Sequence, residues 1–146
     1  MAATTSVKVA GTWNTVTQPH AKVAGTWQPL KEIWARVAGV WQLVYQAFSA
    51  TVSPTTLSGS GSTGVYVSTS GASTCTPVGG TPTYTYSWVY VSGDVLTANS
   101  PTSASCNFGY FNAIPGTKVG VFKCTVTDSA SQVVDSNTVT ATITHT

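Results

Sequence analysis

Charge is the first thing this sequence lacks. Asp, Glu, Lys and Arg make up 7% of 146 residues, against roughly 25% in an ordinary soluble protein. Such a surface draws its solubility from Thr, Ser and Asn. It tolerates close packing against other chains, because few charges must be desolvated. The bases are thinly spread. Lys8, Lys22, Lys31 and Arg36 against Glu32 give residues 1–55 a balance of +3, and Lys118 and Lys123 against Asp94, Asp128 and Asp135 give the rest −1. Phosphate backbones are held by clustered Lys and Arg, so no nucleic-acid partner is expected. Long apolar runs are missing too. Nothing approaches the roughly 20 apolar residues of a membrane span, and "MAATTSVKVAG" lacks the apolar core of a signal peptide. The expectation is a chain made in a cytoplasm, with no membrane insertion. Cysteine is scarce: Cys75, Cys106 and Cys124 are too few for a disulfide scaffold. Their odd number leaves at least one thiol free within a monomer.

The means of catalysis are equally thin. There are two histidines. His20 follows a proline between repeats, and His145, next to last, is expected to be frayed. Neither sits in a Ser-His-Asp or Cys-His setting. The carboxylates are scattered, with no close pair for acid–base work. Asp94 and Asp128 stand in turn contexts, where a carboxylate binds nearby backbone N–H groups; a shared calcium site is the alternative. No Cys/His set has zinc spacing. "GSGSTG" (59–64) has no following Lys and no helix to open, which a phosphate loop needs. No catalytic, cofactor-binding or metal residue is assigned, and the chain is not expected to be an enzyme.

What is present is a repeat. KVAGTWNTVTQPHA (8–21), KVAGTWQPLKEIWA (22–35) and RVAGVWQLVYQAFS (36–49) follow one another at a period of 14. Fourteen equals two heptads and is also even, so helix and strand both survive the arithmetic. In the third copy Leu30, Ile33, Trp34, Val37, Trp41, Val44, Tyr45 and Phe48 form a helical stripe. Against a helix stand Gly11, Gly25 and Gly39 at the centre of each copy, Pro19 and Pro29, and the abundance of Val, Thr and Trp. The first copy has no stripe and reads as strand, Ala-Gly turn, strand. The hairpin is the preferred reading. It sets Lys8 opposite Trp13, Lys22 opposite Trp27 and Arg36 opposite Trp41, as cross-strand packing pairs or as cations over indoles. A lone two-stranded hairpin is marginal in water. These copies must pack on each other, on a second chain or on a docking surface, so the repeat serves assembly.

Residues 50–64, rich in Ser, Thr and Gly, read as a linker or as a first strand and loop. Beyond them the pattern alternates in period two. Tyr84, Tyr86, Trp88 and Tyr90 fall on one face; so do Ala104, Cys106 and Phe108; Phe122, Cys124 and Val126; and Val139, Ala141 and Ile143. Turn signals lie between these runs, which indicates an antiparallel sandwich. The fold class is all-β. Cys106 is expected to be a small buried hydrophobe. Tyr110 and Phe111, in the loop-like "FGYFNAIPG", are candidate recognition residues.

Cys75, Trp88 thirteen residues on, and Cys124 preceded by Phe122 resemble the immunoglobulin pattern, with Phe where the hydroxyl-bearing corner tyrosine would stand. "TPVGGTPTYTYSWVYVSGD" and "KCTVTDSASQVVDSNTVTATI" more narrowly resemble the Ig-like, PKD-like modules of tailed-bacteriophage virion proteins, especially minor tail and fibre proteins. The Trp-containing hairpin repeats resemble segments of phage tail proteins. The resemblance implies a virion location. Residues 1–49 would be a hairpin-repeat anchoring and oligomerisation region, and 50–146 an Ig-like β-sandwich displayed for host attachment. Partners would be self, as a homotrimer, and other virion structural proteins. A capsid decoration protein, or an adhesin binding a host cell-surface glycan, are the alternatives. The Ig pattern also implies a Cys75–Cys124 disulfide, which a cytosol disfavours and an oxidising medium after lysis permits.

Overall fold

The computed structural model describes residues 6–9, 12–15 and 18–146, with only the backbone of 6–9 and 13–15. The described residues are all-β, without a helix. The first six strands are β1 (Ser6–Val9), β2 (Thr12–Thr15), β3 (His20–Val23), β4 (Thr26–Pro29), β5 (Glu32–Val37) and β6 (Val40–Gln46). They form three consecutive antiparallel pairs, β1–β2, β3–β4 and β5–β6. The helical stripe of the third copy is therefore not used. Its apolar residues are divided between two strands, because the Ala-Gly step at its centre turns the chain.

The turns explain the spelling of the repeat. Ala24 and Gly25 have φ of 47° and 84°, and Ala38 and Gly39 have 48° and 86°. Positive φ at both central residues is the two-residue turn whose twist matches a hairpin. Glycine adopts it freely, whereas alanine is strained there by about 1 kcal/mol. Past the second and third pairs a further backbone bond closes the base: Leu30 N–H donates to Pro19 O (2.8 Å), and Ala47 N–H to Lys31 O (2.7 Å).

Ten strands follow: β7 (Ser49–Ser53), β8 (Thr56–Gly61), β9 (Tyr66–Ser68), β10 (Ser73–Val78), β11 (Tyr84–Gly93), β12 (Thr97–Ala98), β13 (Ser105–Cys106), β14 (Phe108–Phe111), β15 (Gly116–Asp128) and β16 (Val133–His145). The Ser/Thr/Gly-rich segment 50–64 thus supplies strands, not a free linker. One sheet has the order β11-β15-β16-β8, with β8 parallel to β16. Two three-stranded sheets have the orders β13-β10-β7 and β12-β14-β9.

Most of the period-two residues form the core, whereas Tyr90, in the same alternation as Trp88, is 41% exposed. Trp88, Cys106, Phe108, Phe122, Cys124, Val126, Val139, Ala141 and Ile143 are all buried, with Ala50, Val52, Val67, Cys75 and Leu96. Phe108 stacks on Phe122 at 4.3 Å and meets Trp88 edge-on at 5.7 Å, so rings from three strands of two sheets make one contact. The indole N–H of Trp88 donates to Ser103 O (2.8 Å), leaving no orphaned donor.

Polar groups organise the ends, Asp128 and His145 buried and Asp94 partly exposed. Asp128 accepts N–H bonds from Thr81 (2.8 Å), Ala130 (3.0 Å) and Gln132 (2.8 Å), locking the β15–β16 turn against the segment before β11. Asp94 accepts the N–H of Val119 (2.8 Å) and pairs with Lys118 (2.9 Å). The two carboxylates lie at opposite ends of β15, which separates them as a shared cation site. His145 is not frayed. It pairs with Gly116 and Gly61 in the ladder, is 1% exposed, and its Nε2 contacts Val65 O at 3.3 Å.

Candidate functional site

The hairpins carry the largest exposed apolar side chains of the described residues. The register sets Lys22 opposite Trp27 and Arg36 opposite Trp41, and the backbones of Lys8 and Trp13 pair in the same way. The side chains of Lys8 and Trp13 lie outside the described residues. An even period returns each indole to the same position beside its turn. Trp27 is 65% exposed and Trp41 64%, whereas Trp88 in the core is 5%.

A fourth indole joins them. Trp34 sits opposite Leu43 and is 51% exposed. It is two residues from Arg36 along β5, as Leu43 is from Trp41 along β6, so all four share one face of the hairpin. Its Nε1 donates to Glu32 Oε2 (2.9 Å). Arg36 does not reach outward: its Nε donates to Gly39 O (3.1 Å), across its own turn. Sequence reading missed Trp34 as a surface residue because it was counted in a helical stripe. Stepping by two from Arg36 would have found it.

The magnitude is informative. Indoles of about 200 Å² each, exposed by half to two thirds, leave on the order of 400 Å² of aromatic surface in water. That is about half of what each partner gives to a standard interface. Val23, Val37 and Val40 are exposed too, but each is one residue from Lys22, Arg36 or Trp41 and so lies on the opposite face of its hairpin. At roughly 25 cal/mol per Å², covering the indoles is worth up to about 10 kcal/mol before the costs of association. The arrangement offers burial, and it offers no convergent titratable groups. Among the described residues no three of His, Cys, Asp and Glu come together as a metal-binding group.

The other singled-out residues lie elsewhere. Cys75 and Cys124 are free, buried thiols on β10 and β15, in different sheets. They share a hydrogen bond that pulls the Cys75 thiol below its ordinary pKa and pushes that of Cys124 up. Cys106 is buried, and desolvation pushes its thiol up. Tyr110 and Phe111 lie on a strand, not in a loop, and therefore point to opposite faces. Tyr110 is half-buried and meets the His145 ring edge-on at 6.4 Å, with Lys118 Nζ 6.0 Å from its own ring. Phe111 is exposed. Comparison with protein-family models, with curated proteins and with solved structures finds no match.

Proposed function

We propose that this chain is a non-enzymatic structural component of a tailed-phage virion, a tail or fibre protein. In this reading the repeats at 1–49 assemble or dock, and an Ig-like sandwich at 50–146 is displayed outward for host-surface contact. The observation that carries the assembly half is the exposure of the indoles of Trp27, Trp34 and Trp41 on two-stranded pairs. A two-stranded hairpin is marginal by itself. Repeating it multiplies a contact too weak to act singly.

Two features support the Ig-like reading. The order β11-β15-β16-β8, with the early strand β8 parallel to the last, is one that the C-F-G-A′ side of such a sandwich would have. In that reading Cys75, Trp88 and Cys124 would stand on the B, C and F strands, and Trp88 pairs with Cys124 in the ladder. The virion location rests on the resemblance of residues 76–94 and 123–143 to phage Ig-like modules. A symmetric homotrimer, made in the host cytoplasm, accommodates three hairpins per chain. Lys22 and Arg36 would stay at the rim, where cations need not be desolvated.

The test of location is direct. Antibodies raised against the chain should label one site on particles purified from a lysate that contains it, and the chain should persist through density-gradient purification. Its loss from the purified particles would refute the virion reading.

A further inference from the structure

We infer that the outer face of β9 and β14 is a binding site for a neutral sugar ring, with Tyr66 as its platform. The site is separate from the hairpins, and it holds whether or not they assemble.

The geometry begins with a glycine. Gly109 is buried although its position on β14 faces outward, between the inward-facing Phe108 and Tyr110. What covers it is Tyr66: a methyl group at Gly109 would meet Cζ of that ring at 2.5 Å and Cε1 at 2.6 Å. The hydroxyl end of the tyrosine ring therefore lies over the strand, against the backbone at Gly109. Yet Tyr66 is 48% exposed, so about half of the residue remains open to water. A ring laid on a sheet in this way costs little further entropy when something stacks on it.

The ring is held in place. Its hydroxyl donates to Asn99 Oδ1 (2.6 Å), and Asn99 Nδ2 contacts Ser68 Oγ and Asn107 Oδ1, both at 3.2 Å. These bonds span β9, the end of β12 and the residue before β14. Phe111 pairs directly with Tyr66 in the ladder and is 54% exposed, which extends the aromatic surface along β14.

The chemistry selects the ligand. None of these six residues is charged, so the site offers no charge-assisted bond to a phosphate, a carboxylate or an ammonium group. An open π-face is negative and attracts polarised C–H groups. Amides and a hydroxyl at its edge both donate and accept. A pyranose presents the matching pair: an apolar C–H face and a rim of hydroxyls. A planar base would use the ring but not the rim.

Backbone amide shifts of the full chain, titrated with the methyl glycosides of glucose, galactose, mannose and N-acetylglucosamine, test the assignment. At concentrations up to about 50 mM, suited to a single weakly bound ring, at least one glycoside should shift residues 66, 68, 99, 107, 109 and 111 saturably. Tyr66→Ala should weaken that binding at least about tenfold, and Tyr66→Phe, which keeps the ring and loses the Asn99 bond, about threefold. The inference is overturned if none of the four glycosides gives saturable shifts at these residues, if the shifts map elsewhere, or if uridine shifts them and the glycosides do not. It is also overturned if a folded Tyr66→Ala chain titrates like the unaltered one. Should Tyr66→Ala not fold, the shift map of the unaltered chain decides.

Discussion

Two tryptophans show how differently the two regions of this molecule use the same side chain. Trp88 is 5% exposed, has its N–H bonded to Ser103, and is packed edge-on by Phe108. Trp27 is 65% exposed on a pair of four-residue strands. Both lie on strands, and both stand directly opposite a named cross-strand partner. The difference is the layer beneath. Beyond residue 48 the chain has enough strands for one sheet to cover another. Before it, the described strands pair only two by two. An aromatic residue with no layer beneath it adds little to the fold of its own chain and is available to another. Backbone geometry alone therefore does not distinguish a buried face from an exposed one; the number of strands does.

The comparison breaks most sharply in the core. Phe108→Ala removes a fully buried ring from two aromatic contacts and should destabilise the packed sheets by about 3–5 kcal/mol. Trp27→Ala should shift the same unfolding midpoint by less than about 0.5 kcal/mol. Chemical denaturation of both variants, followed through the red shift of tryptophan emission as the buried Trp88 joins the exposed indoles in water, measures the contrast. Oxidation sharpens it from the other side. A Cys75–Cys124 bond would close a long loop between sheets and should raise their stability by about 2–4 kcal/mol, with no effect on the hairpins. Denaturation with and without reductant, together with thiol counting, checks this.

Smaller effects are expected at the ends of β15. Asp128→Asn leaves the N–H groups of Thr81, Ala130 and Gln132 facing a poorer acceptor and should cost about 1–3 kcal/mol. Acid should act next. The N–H of Val119 and then Lys118 hold Asp94 below the usual carboxylate range, and Lys123 with Thr125 does the same to Asp135. A folded pKa below the unfolded one means that the unfolded chain binds protons first as pH falls. These carboxylates therefore contribute stability above about pH 4 that is lost as pH drops through their depressed values. Asp94→Asn should flatten the acid limb of a stability–pH curve slightly, the effect being small because the pair is solvent-screened.

Much of this was legible in the residues. Period-two alternation placed Phe122, Cys124, Val126, Val139, Ala141 and Ile143 on inward faces, because a strand buried on one side permits no other pattern. The Ala-Gly step read as a turn because positive φ admits few residues. His145 was misread, since nothing local reveals that β8 and β15 flank it; that burial is a long-range pairing. Trp34 was hidden by a period that fits helix and strand equally. Tyr66 gave no signal, because its role depends on Gly109, which is 43 residues away and becomes its neighbour only when β9 pairs with β14.

The most direct test of the central claim is the mass in solution of the full chain beside its Trp27→Ala/Trp34→Ala/Trp41→Ala variant. The account predicts an oligomer, a trimer by the symmetry proposed, that becomes a monomer in the variant while the near-ultraviolet signal of Trp88 is retained. An unaltered chain that is monomeric at tens of micromolar (about the range where an interface of this area associates), or a variant that assembles as the parent does, would contradict it.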